Sequence, residues 1–299
     1  MRSFFCFLFL VILSACGKKT DPVLEEPFQL AKTFEKDPSA ANAEKFFDSA
    51  ITLLQGGLLK PESKLELLHK CQAVSIQAQL PARTALFTST LIKEDPQNTN
   101  FKSWCADLVQ ALQGLQKQEA AQSFVLAFAS AFPGDNQLAD FQKSGLSPNV
   151  KSIDEQIEYF ASAMFSDSTH QFNENLATNF IDACEALAMV HPKHPKAVDY
   201  LFKAATTSRS IRSYPKAIAI YDWIIRSFDN NNQASQASFF KAFTVDNDLK
   251  DVQQAKALYA DFLKKYPNDE FADDAKFLMD NLGKSDEEIL ESLKKNQAQ

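Results

Sequence analysis

Glycine is scarce in this chain, seven in 299 residues, and that scarcity works against any fold built on tight β-turns. No stretch sustains the period-two alternation of a half-buried strand. Histidine numbers only four, and there is neither a Gly-x-Ser-x-Gly elbow nor a glycine-rich phosphate loop, so no residue proposes itself as a catalytic nucleophile or phosphate cradle. Positive charge is in the minority. Thirty-one Lys and Arg against 38 Asp and Glu leave a net charge of -7, which argues against nucleic acid and against a polybasic grip on anionic lipid. No apolar run reaches the ~20 residues of a membrane-spanning helix. What remains plentiful is Ala, Leu, Lys, Glu and Gln, the strong helix formers, and the fold is predicted to be all-α.

From about Ser39 onward apolar residues recur at spacings of three and four, as in Phe46, Phe47, Ile51 and Leu54 and again in Leu65, Leu68 and Cys71. Helices are predicted to close at Asp95-Pro96, Phe132-Pro133 and His191-Pro192. The segment Gly134 to Asn149 has weak periodicity and reads as an irregular connection between two sub-arrays. Residues 201 to 229 also align with residues 239 to 267 at an offset of 38. Phe202-Lys203-Ala204 falls on Phe240-Lys241-Ala242, Ala217 on Ala255, Tyr221 on Tyr259 and Phe228-Asp229 on Tyr266-Pro267. A period of this length marks a solenoid whose helix pairs cannot bury their apolar faces alone.

This pattern resembles the tetratricopeptide repeat, with Phe239, Ala242, Ala255, Tyr259, Phe262 and Pro267 in its large, small, aromatic and closing positions. The resemblance implies a right-handed superhelix of helix pairs whose first helices line a concave wall. Counted from Ala217 and Ala255, that wall would carry Phe202, Thr206 and Arg209 in one repeat and Phe240, Thr244 and Asn247 in the next. An apolar strip there would suit envelope proteins or peptides as partners.

The N-terminus carries Arg2, an apolar run from Phe4 to Leu13, and then Leu13-Ser14-Ala15-Cys16-Gly17. The run has the length of a signal-peptide h-region. The tetrapeptide resembles the lipobox of bacterial lipoproteins, which implies cleavage before Cys16 and covalent diacylglyceryl and acyl lipid on that residue. No other cofactor is expected. Gly17 after the cysteine resembles the default signal for the outer membrane, facing the periplasm. The expected organisation is a signal peptide over 1–15, a lipid-bearing flexible tether over 16–37, degenerate repeats over 38–140, repeats closer to the family pattern over 150–283, and a capping helix and tail over 284–299. Ser285 and Glu288 form the capping box of that last helix, which runs through Ile289, Leu290 and Leu293. Together these features resemble the tetratricopeptide lipoproteins of the outer-membrane protein assembly machinery (BamD-like) and the repeats of the Tol-Pal coordinator. They imply a non-enzymatic envelope scaffold. A solute- or glycan-binding lipoprotein of a nutrient-uptake system is the alternative.

Cys6 leaves with the leader, and the thiol of Cys16 is taken up by the lipid. Cys71, Cys105 and Cys184 remain, an odd number, read as buried small hydrophobes with a Cys71–Cys105 disulfide as the other reading. His191 and His194 stand between prolines and read as solvent-facing turn residues, not metal ligands. Asp246-Asn247-Asp248-Leu249-Lys250-Asp251 begins like a calcium loop but lacks its glycine and its closing glutamate, so no metal site is expected.

Overall fold

Prolines at first-turn positions and short polar caps open many of the helices in this chain. A computed structural model describes residues 21–146, 150–165, 172–229, 231–285, 287–288 and 290. The expected signal peptide and Cys16 lie outside these residues, as do Ile289 and Leu293. Fourteen α-helices occupy the described residues, and the only strand pairing among them is an isolated bridge between Phe165 and Phe172. None of these helices is long and apolar enough to cross a membrane.

The helices fall in two compact bodies, Met1–Phe87 and Thr88–Gln299. The first holds α1 (Glu25–Lys36), α2 (Ala40–Gln55), α3 (Pro61–Gln77) and the start of α4 (Pro81–Glu94). Asp21 caps a 3₁₀ turn at Pro22–Leu24 by accepting from the Val23 N–H at 3.3 Å, and it also accepts the Ser63 hydroxyl at 2.9 Å. The expected tether therefore does not extend through residues 22–36. Leu24, Ala31 and Phe34 are fully buried, because α1 carries an apolar face that packs on α2. Phe46, Phe47, Leu67, Leu68, Cys71 and Val74 complete this core, with Phe47 stacked on Phe87 at 5.5 Å. Leu67, not the predicted Leu65, sits on the buried stripe of α3.

The second body holds the rest of α4, then α5 (Phe101–Gly114), α6 (Gln118–Ala131), α7 (Gln137–Lys143), α8 (Ile153–Ala163), α9 (Glu174–Val190), α10 (Ala197–Ser210), α11 (Tyr214–Ser227), α12 (Gln233–Phe243), α13 (Val252–Lys265) and α14 (Ala272–Asp280). Helix α9 packs against α6, α8 and α10, and from there each helix packs on the next as far as α14. The expected break at 134–149 is thus not a boundary between bodies. Helix α7 lies inside it, and Phe141 is buried edge-on against Phe128 of α6.

Two backbone devices repeat along the chain. Within helix pairs the turn passes through one left-handed residue, at Gln79, Gln116, Arg212 and Lys250, with φ between 55° and 58°. Between pairs, the N–H of Asp95, Phe132, His191, Phe228 or Tyr266 closes the preceding helix onto the carbonyl four residues back, and three residues later an N–H returns to the same residue's carbonyl. A proline follows four of these five residues and holds them out of the helical region. In each such loop a side chain then accepts the N–H two residues on: Asn98 from Asn100, Asp135 from Gln137, His194 from Lys196, Asn231 from Gln233 and Asp269 from Phe271.

These landmarks explain the 38-residue offset. The second helices α4, α6, α11 and α13 each take 16 positions from left-handed residue to loop, as from Arg212 to Phe228 and from Lys250 to Tyr266. First helices take 21 from Asp95 to Gln116 and from His191 to Arg212, but 22 from Phe228 to Lys250. The extra residue is absorbed by a π-helical turn, Thr244–Asp248, at the end of α12.

Candidate functional site

Counted from the loop, the residue in α12 that matches Phe202 of α10 is Phe239, because the inserted residue comes later. Phe239 is buried at 6 % exposure, whereas Phe202 and Phe240 are both half-buried. The predicted pair nevertheless meets. Phe202 and Phe240 pack edge to face at 5.6 Å, and Phe240 packs in turn on half-buried Phe271 at 5.8 Å. Phe239 stacks on Phe271 at 4.6 Å from beneath. An aromatic strip thus crosses from α10 over α12 to the cap of α14, its geometry typical of favourable ring pairs.

Beside the strip, Arg209 ion-pairs with Asp248 and lies over the Phe243 ring at 4.7 Å. Asn247 is exposed and donates to Asp248 at 3.0 Å. Thr206 is half-buried, its hydroxyl donating to the Lys203 carbonyl at 2.9 Å. Thr244 departs from expectation: it is fully buried and its hydroxyl donates to the Phe240 carbonyl at 2.7 Å. The π turn accounts for this, because the offset of 38 holds only beyond it: counted from the loop, Thr244 takes the place of Thr207, one residue and roughly 100° of helix past Thr206. Of the six predicted wall residues, Phe202, Phe240, Thr206, Arg209 and Asn247 keep some exposure and Thr244 does not.

The acidic run near the π turn serves the fold. Asp246 accepts the Tyr259 hydroxyl at 3.3 Å, Asp248 holds Arg209, and Asp251 caps α13 by accepting the Gln254 N–H at 3.0 Å. Burial raises the Asp246 carboxyl, against the Tyr259 bond. Burial also pushes the Tyr221 phenol up to about 12 and that of Tyr259 well above its usual range.

The two turn histidines are not solvent-facing. His191 lies 3.0 Å from the Ser130 hydroxyl through Nδ1, and its ring centroid is 5.3 Å from that of His194. His194 places Nε2 3.3 Å from Asp154 while Nδ1 serves the loop. Cys71, Cys105 and Cys184 are all buried free thiols, which removes the Cys71–Cys105 disulfide reading.

Sequence reasoning missed a buried ionic centre. Glu185 of α9, 5 % exposed, ion-pairs with Lys216 of α11 and with Lys93 of α4 at 3.5 Å. The Lys93 ammonium also lies 4.6 Å from the Trp223 ring centroid. Burial raises the Glu185 carboxyl, but Lys93 and Lys216 together outweigh it and hold the group below its ordinary range. Only the helical register of Glu185, on the apolar stripe of Phe180, Ile181, Cys184 and Ala188, signalled its burial. A second feature, an open groove of about 710 Å³, lies between α5 and α7, lined by Ser103, Gln110, Gln113, Gln137, Asp140 and Ser144 among others.

Residues 180–279 match the tetratricopeptide repeat family. The matched span starts within α9 and ends within α14, so it holds the whole aromatic strip. No curated protein matches the chain.

Proposed function

We infer, from the tetratricopeptide repeats carried by residues 180–279, that this chain is a non-enzymatic interaction scaffold held at the cell envelope by lipid on Cys16. Repeats of this kind mediate contacts between proteins. The observation that carries the reading is the Phe202–Phe240–Phe271 strip: three half-buried rings in continuous contact, flanked by the Arg209–Asp248 pair. Aromatic side chains bring large contact area at small conformational cost, and Arg with aromatics is the composition of interface anchors. The partner would be an envelope protein that presents an apolar segment, with roles in outer-membrane protein assembly or envelope maintenance following from the lipobox and repeat resemblance. The leader and Leu-Ser-Ala-Cys support lipid anchoring, and Gly17 supports the outer membrane, facing the periplasm, as its site. Metabolic labelling with a radioactive fatty acid tests this part: label on the wild-type chain and none on Cys16→Ser is the expected result, and an unlabelled wild-type chain would contradict it.

The groove between α5 and α7 favours one other reading, a solute- or glycan-binding lipoprotein. Its rim of three glutamines and two serines offers neutral hydrogen-bonding groups of the kind that sugar hydroxyls meet. Calorimetric titration with neutral oligosaccharides separates the two readings.

A further inference from the structure

The five loops between helix pairs share one hydrogen-bonding plan but not one chemistry. Four use a carboxylate or carboxamide oxygen to accept the N–H two residues on, at 2.9–3.0 Å, whereas the loop between α9 and α10 uses Nδ1 of His194 to accept from Lys196 at 3.3 Å. Oxygen acceptors of Asn and Asp remain acceptors across pH 5 to 8. An imidazole does not, because protonation turns its acceptor nitrogen into a donor. From this substitution of chemistry within a fixed plan, we propose that the α9–α10 loop is a proton-sensitive clasp, in which protonation of His194 releases the Lys196 N–H and loosens the first turn of α10.

Every group facing His194 bears on the direction of the effect. From α8, Asp154 meets Nε2 at 3.3 Å and also accepts the Tyr200 hydroxyl of α10 at 3.1 Å. Lys196 supplies positive charge to the same carboxylate at 3.4 Å and to Glu158 at 3.4 Å. From the loop itself, His191 stands beside His194 and is anchored to Ser130 of α6. A protonated His194 gains attraction to Asp154 through Nε2 but presents an N–H to an N–H at Nδ1. The ring therefore exchanges its bond to α10 for a stronger one to α8. Burial, with His194 as a lesser cause, lowers the His191 pKa. The clasp lies inside the matched repeats and immediately precedes the helix that carries Phe202.

The four sister loops are internal controls. Residue-resolved hydrogen exchange on the full chain at pH 7.5 and 5.5, corrected for intrinsic rates, compares the Lys196 amide with those of Asn100, Gln137, Gln233 and Phe271. Lys196 is expected to lose protection about fivefold relative to the sisters, the factor that a lost side-chain cap carries. His194→Asn, which installs the acceptor that two sister loops already use, should abolish the change, and His191→Gln should leave it in place. A Lys196 ratio that stays flat in the wild type, or one that still changes in His194→Asn, would overturn the proposal.

Discussion

Tyr221 and Tyr259 occupy the same position of successive second helices, 38 residues apart and both fully buried, yet only one of their hydroxyls is bonded. The Tyr259 hydroxyl donates to Asp246 at 3.3 Å, whereas that of Tyr221 finds no hydrogen-bond partner among the described residues. The place that Asp246 holds four residues before Lys250 is held before Arg212 by Ser208, whose hydroxyl donates instead to the Ala204 carbonyl at 2.8 Å.

Removing the two hydroxyls should therefore have opposite consequences. Tyr259→Phe is expected to cost about 1 kcal/mol, because it leaves a part-buried carboxylate without its donor. Tyr221→Phe should be neutral or stabilising by a few tenths of a kcal/mol, since an unpartnered buried hydroxyl is lost without a cavity. Urea denaturation of the two variants measures both.

Glu185→Gln should destabilise the second body by roughly 2 kcal/mol, less than a fully buried pair would lose, because Lys93 and Lys216 keep partial exposure. The pH dependence has a definite sign. The Glu185 carboxyl is held below its ordinary range in the folded chain, so its contribution is complete above the unfolded value near 4.5 and is lost as pH falls through the folded value. Denaturation followed by Trp104 and Trp223 fluorescence at pH 7 and 4 should show the gap between wild type and Glu185→Gln narrowing at the lower pH.

The three cysteines should be inert in the folded chain. Burial pushes the Cys71 thiol up to about 12 and raises Cys105 and Cys184 as well, which leaves almost no thiolate at pH 8. A Cys16→Ser variant lacking the leader should give negligible reaction with a thiol reagent at pH 8 and three equivalents after guanidinium unfolding.

Phe34→Ala tests the helix found where a tether was expected. Its ring is fully buried in the first body, so truncation should cost about 3–4 kcal/mol by far-UV circular dichroism, whereas a tether residue would cost nothing measurable.

Much of the architecture was legible because repetition is a strong signal. Ala217 and Ala255, aligned by sequence alone, are both fully buried, and Pro96, Pro133, Pro192 and Pro267 mark loops of one geometry. What escaped detection has physical causes. An offset of 38 fits the second helices, but a π turn leaves no mark in composition, so sequence alone sets Phe240 against Phe202 and Thr244 on the surface. Charge, two prolines and little periodicity over Gly17 to Pro27 suggest a tether. The buried stripe of Leu24, Ala31 and Phe34 outweighs them. The ion pairs of Glu185 are hidden for a different reason, because Lys93 and Lys216 are remote in sequence.

The aromatic strip of Phe202, Phe240 and Phe271 is the surface on which a partner would dock. Photo-crosslinking in intact cells of the source organism, from residue analogues placed at Thr206 and Asn247 and followed by mass spectrometry, tests it most directly. The expected result is a discrete stoichiometric envelope protein linked from both positions and lost in a Phe240→Asp chain whose melting temperature shows it still folded, with Phe240→Leu retaining it. The same partner captured undiminished by folded Phe240→Asp would contradict the account.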